Sequence, residues 1–313
     1  MEYRKVSNTD LYTSRIALGC RSFAGGLYWG VQDEDDSIGT VLSALDLGIN
    51  SFDTSPSYGN GLSEEVLGKA LFGRRDQALI ISSLDTRVAD VDSLIRSCEN
   101  SLWRLRTDRI DFLQVDPSRM AIAKNDLMVG IELLQGRGMI REFGILNSDQ
   151  NRVEEFDGAA FVEASCSLLN RDALHRVSGV CASKSMGLFA YAPLQHGLLS
   201  GSYYDLNEIP TNRRVLVGMD PARADNSRRK SNVFSVIEKL DEISKSSGVK
   251  MNHLALAWAL NRPAVTSVVV GARMPHQIVD NVSVLDQKIS DEILREIDAA
   301  GSNIFHPVEA VAL

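Results

Sequence analysis

Gly48-Ile-Asn-Ser-Phe-Asp-Thr-Ser-Pro-Ser-Tyr-Gly-Asn-Gly-Leu-Ser-Glu-Glu-Val-Leu-Gly-Lys-Ala-Leu71 decides the fold. Ile49 to Phe52 reads as an apolar strand that ends in Asp53. The loop that follows is rich in Ser, Pro, Gly and Asn, residues that favour turns. It delivers Tyr58, and a helix begins near Ser63. A carboxylate and a phenol are thereby placed together at the C-terminal end of a strand. In a barrel of alternating strands and helices, that end is where chemistry is carried out.

The same alternation continues through the chain. Ser14–Gly19, Ile49–Asp53, Ala78–Ser82, Ile110–Val115, Arg141–Leu146, Ala159–Glu163, Leu188–Ala192 and Val265–Val270 read as short apolar strands. Each ends near Gly, Pro, Asp or Asn. Between them lie helical patterns at Val91–Leu105, Met128–Arg137, Arg171–Ser183, Val233–Ser246 and Met251–Leu260. In the first of these, Val91, Leu94, Ile95, Cys98, Leu102 and Leu105 recur at spacings of three and four, and Asp90 or Asp92 is placed to cap the start. Eight such alternations predict a closed α/β barrel, (β/α)8, formed as a single domain over residues 1–313. The polar stretch Leu206–Arg229 interrupts the rhythm. It reads as a solvated surface excursion, with a cover over the site as the alternative.

Composition narrows the function. A length of 313 residues suits one large enzyme domain with insertions. Net charge is −8 and the isoelectric point is near 5.2, which argues against nucleic acid or an anionic membrane as partner. The expected partner is a small-molecule substrate. Cys20, Cys98, Cys166 and Cys181 show no metal-type pairing and read as reduced thiols of a cytoplasmic protein. No metal is expected. The N-terminus has no apolar signal core, and no apolar run approaches the roughly 20 residues that span a bilayer.

The segment from Asp53 to Tyr58 resembles the active-site segment of the aldo-keto reductases, most closely their bacterial, potassium-channel-β-like branch. Three further stretches fit in the same order. Ser101-Leu-Trp-Arg-Leu-Arg-Thr-Asp-Arg-Ile-Asp-Phe-Leu-Gln114 resembles the third helix entering the fourth strand. Tyr191-Ala-Pro-Leu-Gln-His-Gly-Leu-Leu-Ser-Gly201 resembles the loop that wraps the cofactor pyrophosphate. Ser267-Val-Val-Val-Gly-Ala-Arg-Met-Pro-His-Gln-Ile-Val-Asp-Asn281 resembles the segment that holds the adenosine 2′-phosphate. The resemblance implies NADP(H) as cofactor, with Asn147, Glu163, Cys166, Pro193, Leu194, Gly197, Leu199, Gly271, Arg273, Gln277 and Asn281 at its positions. Elementary chemistry agrees with much of this. Glycine lets a backbone approach a phosphate, a helix starting at Met274 or Pro275 favours an anion, and an Arg forks onto phosphate. The plainer reading leaves Arg273 and Gln277 as surface residues.

The reaction centre departs from the resemblance. That family uses a Tyr as proton donor, a Lys that lowers its pKa, an Asp paired with the Lys, and a His that orients substrate. Tyr58 and Asp53 stand at the first and third positions. The Lys position falls on Ser83 and the His position on Asp116. The carboxamide-binding Gln maps to Glu163, and the nicotinamide-stacking Tyr maps to Cys166. A phenol with pKa near 10 is a poor acid at neutral pH without a tuning cation. Three carboxyl groups gathered at one mouth raise at least one of their pKa values.

Each residue also has a structural reading. Tyr58 serves as an aromatic wall, Asp53 and Asp116 as turn-holding acceptors, Glu163 as a partner for Arg171 or Arg21, and Cys166 as a buried filler. Three functions remain open: a divergent NADP(H)-dependent oxidoreductase with weak ordinary carbonyl reduction, a non-redox lyase, dehydratase or isomerase working through the carboxylates, and a silent nucleotide-binding protein. Fold alone does not separate them.

Overall fold

The computed structural model describes residues 1–6, 9–85, 87–146, 150–214 and 226–302. Eight parallel strands close into a barrel: β1 (Ile16–Gly19), β2 (Ser51–Thr54), β3 (Leu79–Ser83), β4 (Ile110–Val115), β5 (Ile140–Leu146), β6 (Phe161–Ser165), β7 (Gly187–Tyr191) and β8 (Ser267–Gly271). Strand β8 pairs with both β7 and β1, so no edge remains. Nine helices of eight or more residues are present among the described residues. They are α1 (Glu34–Asp46), α2 (Leu62–Ala70), α3 (Val91–Leu105), α4 (Lys124–Gly136), α5 (Asp172–Ser183), α6 (Asn226–Ser247), α7 (Met251–Leu260), α8 (Pro275–Val282) and α9 (Asp291–Ala300).

Strand alternation fills the barrel from below and opens it above. Ala17, Ile81, Phe112, Phe161, Phe189 and Val269 form one buried cluster inside it. Phe161 meets Phe112 at 5.2 Å and Phe189 at 5.1 Å, both edge to face, a favoured aromatic geometry. Gly144 makes room for this: a Cβ there would stand 2.3 Å from the Phe161 ring. An N-terminal hairpin, Tyr3–Lys5 with Tyr12–Ser14, adds Val6 and Leu11 to the same cluster. One layer higher, the period of two brings up Ser83, Gln114, Glu163 and Tyr191, with Gly19 and Gly271 side by side. Polar groups and bare backbone replace the phenylalanines there.

The α3 span agrees with its apolar stripe, and Asp90 caps it by accepting from the Ser93 N–H at 2.7 Å. Two differences from the sequence reading stand out. Helix α6 begins at Asn226 rather than Val233, so the polar excursion is shorter than Leu206–Arg229. Residues 215–225 lie outside the described residues. The hairpin, α1 and α9 are additional elements.

Candidate active site

The loop that carries Tyr58 is anchored at both ends. The Cys20 N–H donates to the Asp53 carbonyl at 2.8 Å, tying β1 to β2. In the first turn of α2, the Ser63 hydroxyl donates to the Cys20 carbonyl at 2.9 Å and also meets the Thr54 hydroxyl at 2.9 Å. Glu64 is fully buried. It accepts from Arg104 Nε at 2.6 Å and from the Ser82 hydroxyl at 2.7 Å. A buried carboxylate held by a cation and a hydroxyl is satisfied, so α2, α3 and β3 hold the loop as one unit.

Above the aromatic layer lies a cavity of about 1160 Å³. It exceeds the ~300–1,000 Å³ of common small-ligand pockets, which leaves space for two ligands side by side. Asp53, Tyr58, Ser83, Asp116 and Glu163 line it, together with Leu146, Pro193, Leu194, Gly197, Gly271, Arg273, Gln277 and Asn281. Cys166 and Leu199 do not line it; both are buried. Asn147 lies outside the described residues.

Gln114, which sequence reasoning passed over, and Arg21, read there only as a possible partner of Glu163, join the acidic groups. Gln114 takes a hydrogen bond from the Ser83 hydroxyl at 3.1 Å through its carbonyl, and its amide donates to Glu163. Ser83 and Glu163 are therefore linked across β3, β4 and β6. Arg21, just past β1, lies with its guanidinium 5.4 Å from the centre of the Tyr58 ring. Arg171 does not serve Glu163: it pairs with Asp298 at 3.2 Å. Asp116 accepts from both the N–H and the hydroxyl of Ser118, at 3.1 and 2.5 Å, in the manner of a turn residue. Among the described residues, no group of three or more His, Cys, Asp or Glu is placed to hold a metal ion.

Burial dominates the electrostatics. It pushes the Asp53 carboxyl up to about 7, with Arg21 opposing. Glu163 is raised well above the usual carboxylate range by burial and then by Asp53, with Gln114 opposing. The Tyr58 phenol is driven well above 10 by burial and by Asp53; Arg21 pulls the other way. A carboxyl that titrates near neutrality can exchange a proton at physiological pH, which this phenol cannot.

The other half of the cavity is backbone. After β7, Ala192 (φ 54°), Gln195 (φ 45°) and His196 (φ 54°) adopt left-handed conformations, as does Asn60 (φ 54°) in the Tyr58 loop. Non-glycine residues pay roughly 1–3 kcal/mol for such strain, and it gathers at ligand sites. His196 Nε2 is buried without a partner among the described residues, and burial holds that imidazole neutral, down to about 3. Opposite, α8 starts with Pro275 and has no side-chain cap at Met274. Arg273 donates through Nε to Gln32 at 2.7 Å and through Nη2 to the Val31 carbonyl at 2.6 Å. Its Nη1 has no partner among the described residues. Gln277 takes the Arg273 N–H at 2.8 Å, while Asn281 is buried beside Asn252 at 3.3 Å.

No helix among the described residues is long and apolar enough to cross a membrane. The family model described as "Aldo/keto reductase family" matches residues 15–302. An aldo-keto reductase of Bacillus subtilis, YhdN, is 30% identical, covering 97% of this chain and 94% of that one. An NADH-specific methylglyoxal reductase of Escherichia coli is 28% identical over 94% of this chain and 98% of its own. The holo form of aldo-keto reductase AKR11C1 from Bacillus halodurans superposes with a TM-score of 0.77 at 22% identity, over 96% of both chains. The barrel, its polar mouth and these matches agree: the chain belongs to the aldo/keto reductase family.

Proposed function

We propose that the protein is an NADP(H)-dependent oxidoreductase of a small molecule whose reaction centre has moved away from the usual tetrad. The observation that carries this reading is the composite cavity, in which a strained backbone loop and a helix start flank an acidic, polar mouth. The residues fit a dinucleotide. His196 Nε2 is a buried polar atom with no partner among the described residues. Gly271 leaves the end of β8 open, with nothing nearer than 3.8 Å to an added Cβ. Arg273, Gln277 and the first N–H groups of α8 would hold the adenosine phosphate. Pro193, Leu194, Gly197 and Asn281 would line the path toward the mouth. A bound nicotinamide supplies or accepts the hydride.

What the chain's own residues do follows from their surroundings. Ser83 brings no positive charge to the Tyr58 hydroxyl, so the phenol is a weak proton donor. Asp53 and Glu163 share the proton inventory of the mouth, and Gln114 holds Glu163 in place. The protein therefore positions its substrate against a carboxyl acid rather than a tuned phenol. A non-redox acid–base reaction is the second reading, favoured by that same carboxyl pair.

The test is to titrate the purified protein with NADPH, following fluorescence, and then to screen small carbonyl compounds for loss of absorbance at 340 nm. Saturable binding and a substrate-dependent loss for a restricted set of compounds support the proposal. Product formation with no change at 340 nm would move the assignment to the second reading.

A further inference from the structure

Among the described residues, six cations line the cavity: Arg21, Arg87, Arg119, Arg213, Lys250 and Arg273. Four of them hold partners. Arg87 grips Asp85, Lys250 reaches Asp280, and Arg273 is fastened to Gln32 and Val31. Arg213 donates to the Tyr28 carbonyl and the Tyr203 hydroxyl and stacks on Trp29 at 5.2 Å. Arg119 stands exposed at the rim. Arg21 differs from all of these. It is half-buried, and its side chain makes no hydrogen bond and no ion pair among the described residues; its guanidinium lies 5.4 Å from the centre of the Tyr58 ring.

Arg21 lines the cavity, and its guanidinium carries five N–H donors that no described residue takes up. Its charge is felt at Asp53, Tyr58, Tyr191 and His196, which places it centrally among the groups of the mouth. Trp29, Tyr58 and Tyr191 supply aromatic walls to the same cavity. We infer that Arg21 is a substrate anchor, and that the substrate carries a carboxylate close to its reacting carbonyl, as in a 2-oxo acid. A planar carboxylate matches the guanidinium fork in two parallel hydrogen bonds. The nearby carboxyl groups do not forbid this. Asp53 and Glu163 are disposed to keep their protons, and Asp116 is turned onto Ser118. This inference rests on the reading of the cavity as a small-molecule redox site and names the substrate class of that site.

Phenylglyoxylate and its methyl ester share a ring and a ketone and differ in charge. Calorimetric titration of both at pH 7, with oxidised nucleotide present to prevent turnover and again without it, tests the anchor. The acid is expected to bind at least tenfold tighter than the ester, the scale of a charged hydrogen bond. Arg21→Met should abolish that preference, and Arg21→Lys should retain part of it. Far-UV circular dichroism and the thermal midpoint of the same variants check that they fold. Should Arg21→Met fail to fold, the acid-to-ester ratio of the parent and of Arg21→Lys, and its decline with added salt, decide the matter. Equal affinities, no binding of the acid, or an acid preference that survives Arg21→Met would overturn the inference and leave Arg21 as a counter-charge for Asp53. NADPH binding without acid preference would sink this inference alone. Acid preference lost with Arg21, in a protein that ignores NADPH, would sink the redox reading and leave the anchor standing.

Discussion

Asp53 should make the stability of this protein fall as pH rises through neutrality. Burial lifts its carboxyl from 3.8 to about 7. At ~1.36 kcal/mol per pH unit, an ionised Asp53 costs the fold up to about 4 kcal/mol relative to the unfolded chain. Between pH ~4 and ~7 the folded chain keeps a proton that the unfolded chain has released. Stability therefore decreases across that window: the contribution is complete below pH ~4 and gone above pH ~7. Asp85, Asp157, Asp280 and Asp298 are shifted the other way, below 3.8, and lose their contributions only at lower pH. Between pH 5 and pH 8 those carboxylates stay ionised; His196, held neutral in the fold, adds stability as pH rises over part of that window, a contribution that cancels between parent and variant. Asp53→Asn keeps the shape and cannot ionise, and it removes a charge that lifts Glu163. In urea unfolding, the loss of stability from pH 5 to pH 8 should be smaller in Asp53→Asn than in the parent by about 2–4 kcal/mol. Identical losses in the two proteins would refute the placement of Asp53 as a buried, proton-holding acid.

Three other outcomes are expected. Arg273→Ala should weaken NADPH binding by about 1.5–3 kcal/mol and leave NADH nearly unchanged; equal affinities of the parent for both nucleotides would remove the 2′-phosphate role. The double variant Ser83→Lys with Asp116→His rebuilds a tuned phenol and should raise aldehyde reduction well above the parent, on the scale of 10²–10⁴ for acid–base assistance; a parent that already reduces simple aldehydes briskly would contradict this. Gly144→Ala should destabilise by about 1–3 kcal/mol, since its Cβ would fall 2.3–2.5 Å from ring atoms of the enclosed Phe161; an unchanged thermal midpoint would show that the ring can move.

Much of the architecture is legible in the chain because each barrel strand is a short apolar run closed by a turn former. The predicted Ile110–Val115 strand and the Val91–Leu105 and Met251–Leu260 helices coincide with β4, α3 and α7. Helix α1 was harder to read because its buried face includes Ser37 and Thr40, which blur the apolar period. The first turns of α6, Asn226 to Asn232, carry no apolar stripe, so the pattern starts only at Val233. In α9 the signal was present and passed over: Ser290 caps it, and Ile293, Leu294 and Ile297 share a face.

Legibility of the candidate site divides in the same way. Strand ends point to Asp53, Ser83, Asp116 and Glu163 by position alone. Gln114 escapes, because its importance depends on the register of Ser83 opposite Gln114 and on the reach to Glu163 across a second strand. Arg21 is read only as a partner for Glu163, because nothing in a lone Arg after β1 says that it lies over the Tyr58 ring. That a half-buried cation has no hydrogen-bonding partner among the described residues shows only in three dimensions.

The central claim is that the nucleotide half of the cavity is intact while the reaction centre is altered. Its most direct test is a titration of the parent protein with NADPH by fluorescence, followed by a 340 nm assay of the bound nucleotide against simple aldehydes. The account predicts saturable NADPH binding with little or no oxidation by those aldehydes. Absence of binding, or brisk oxidation, would contradict it.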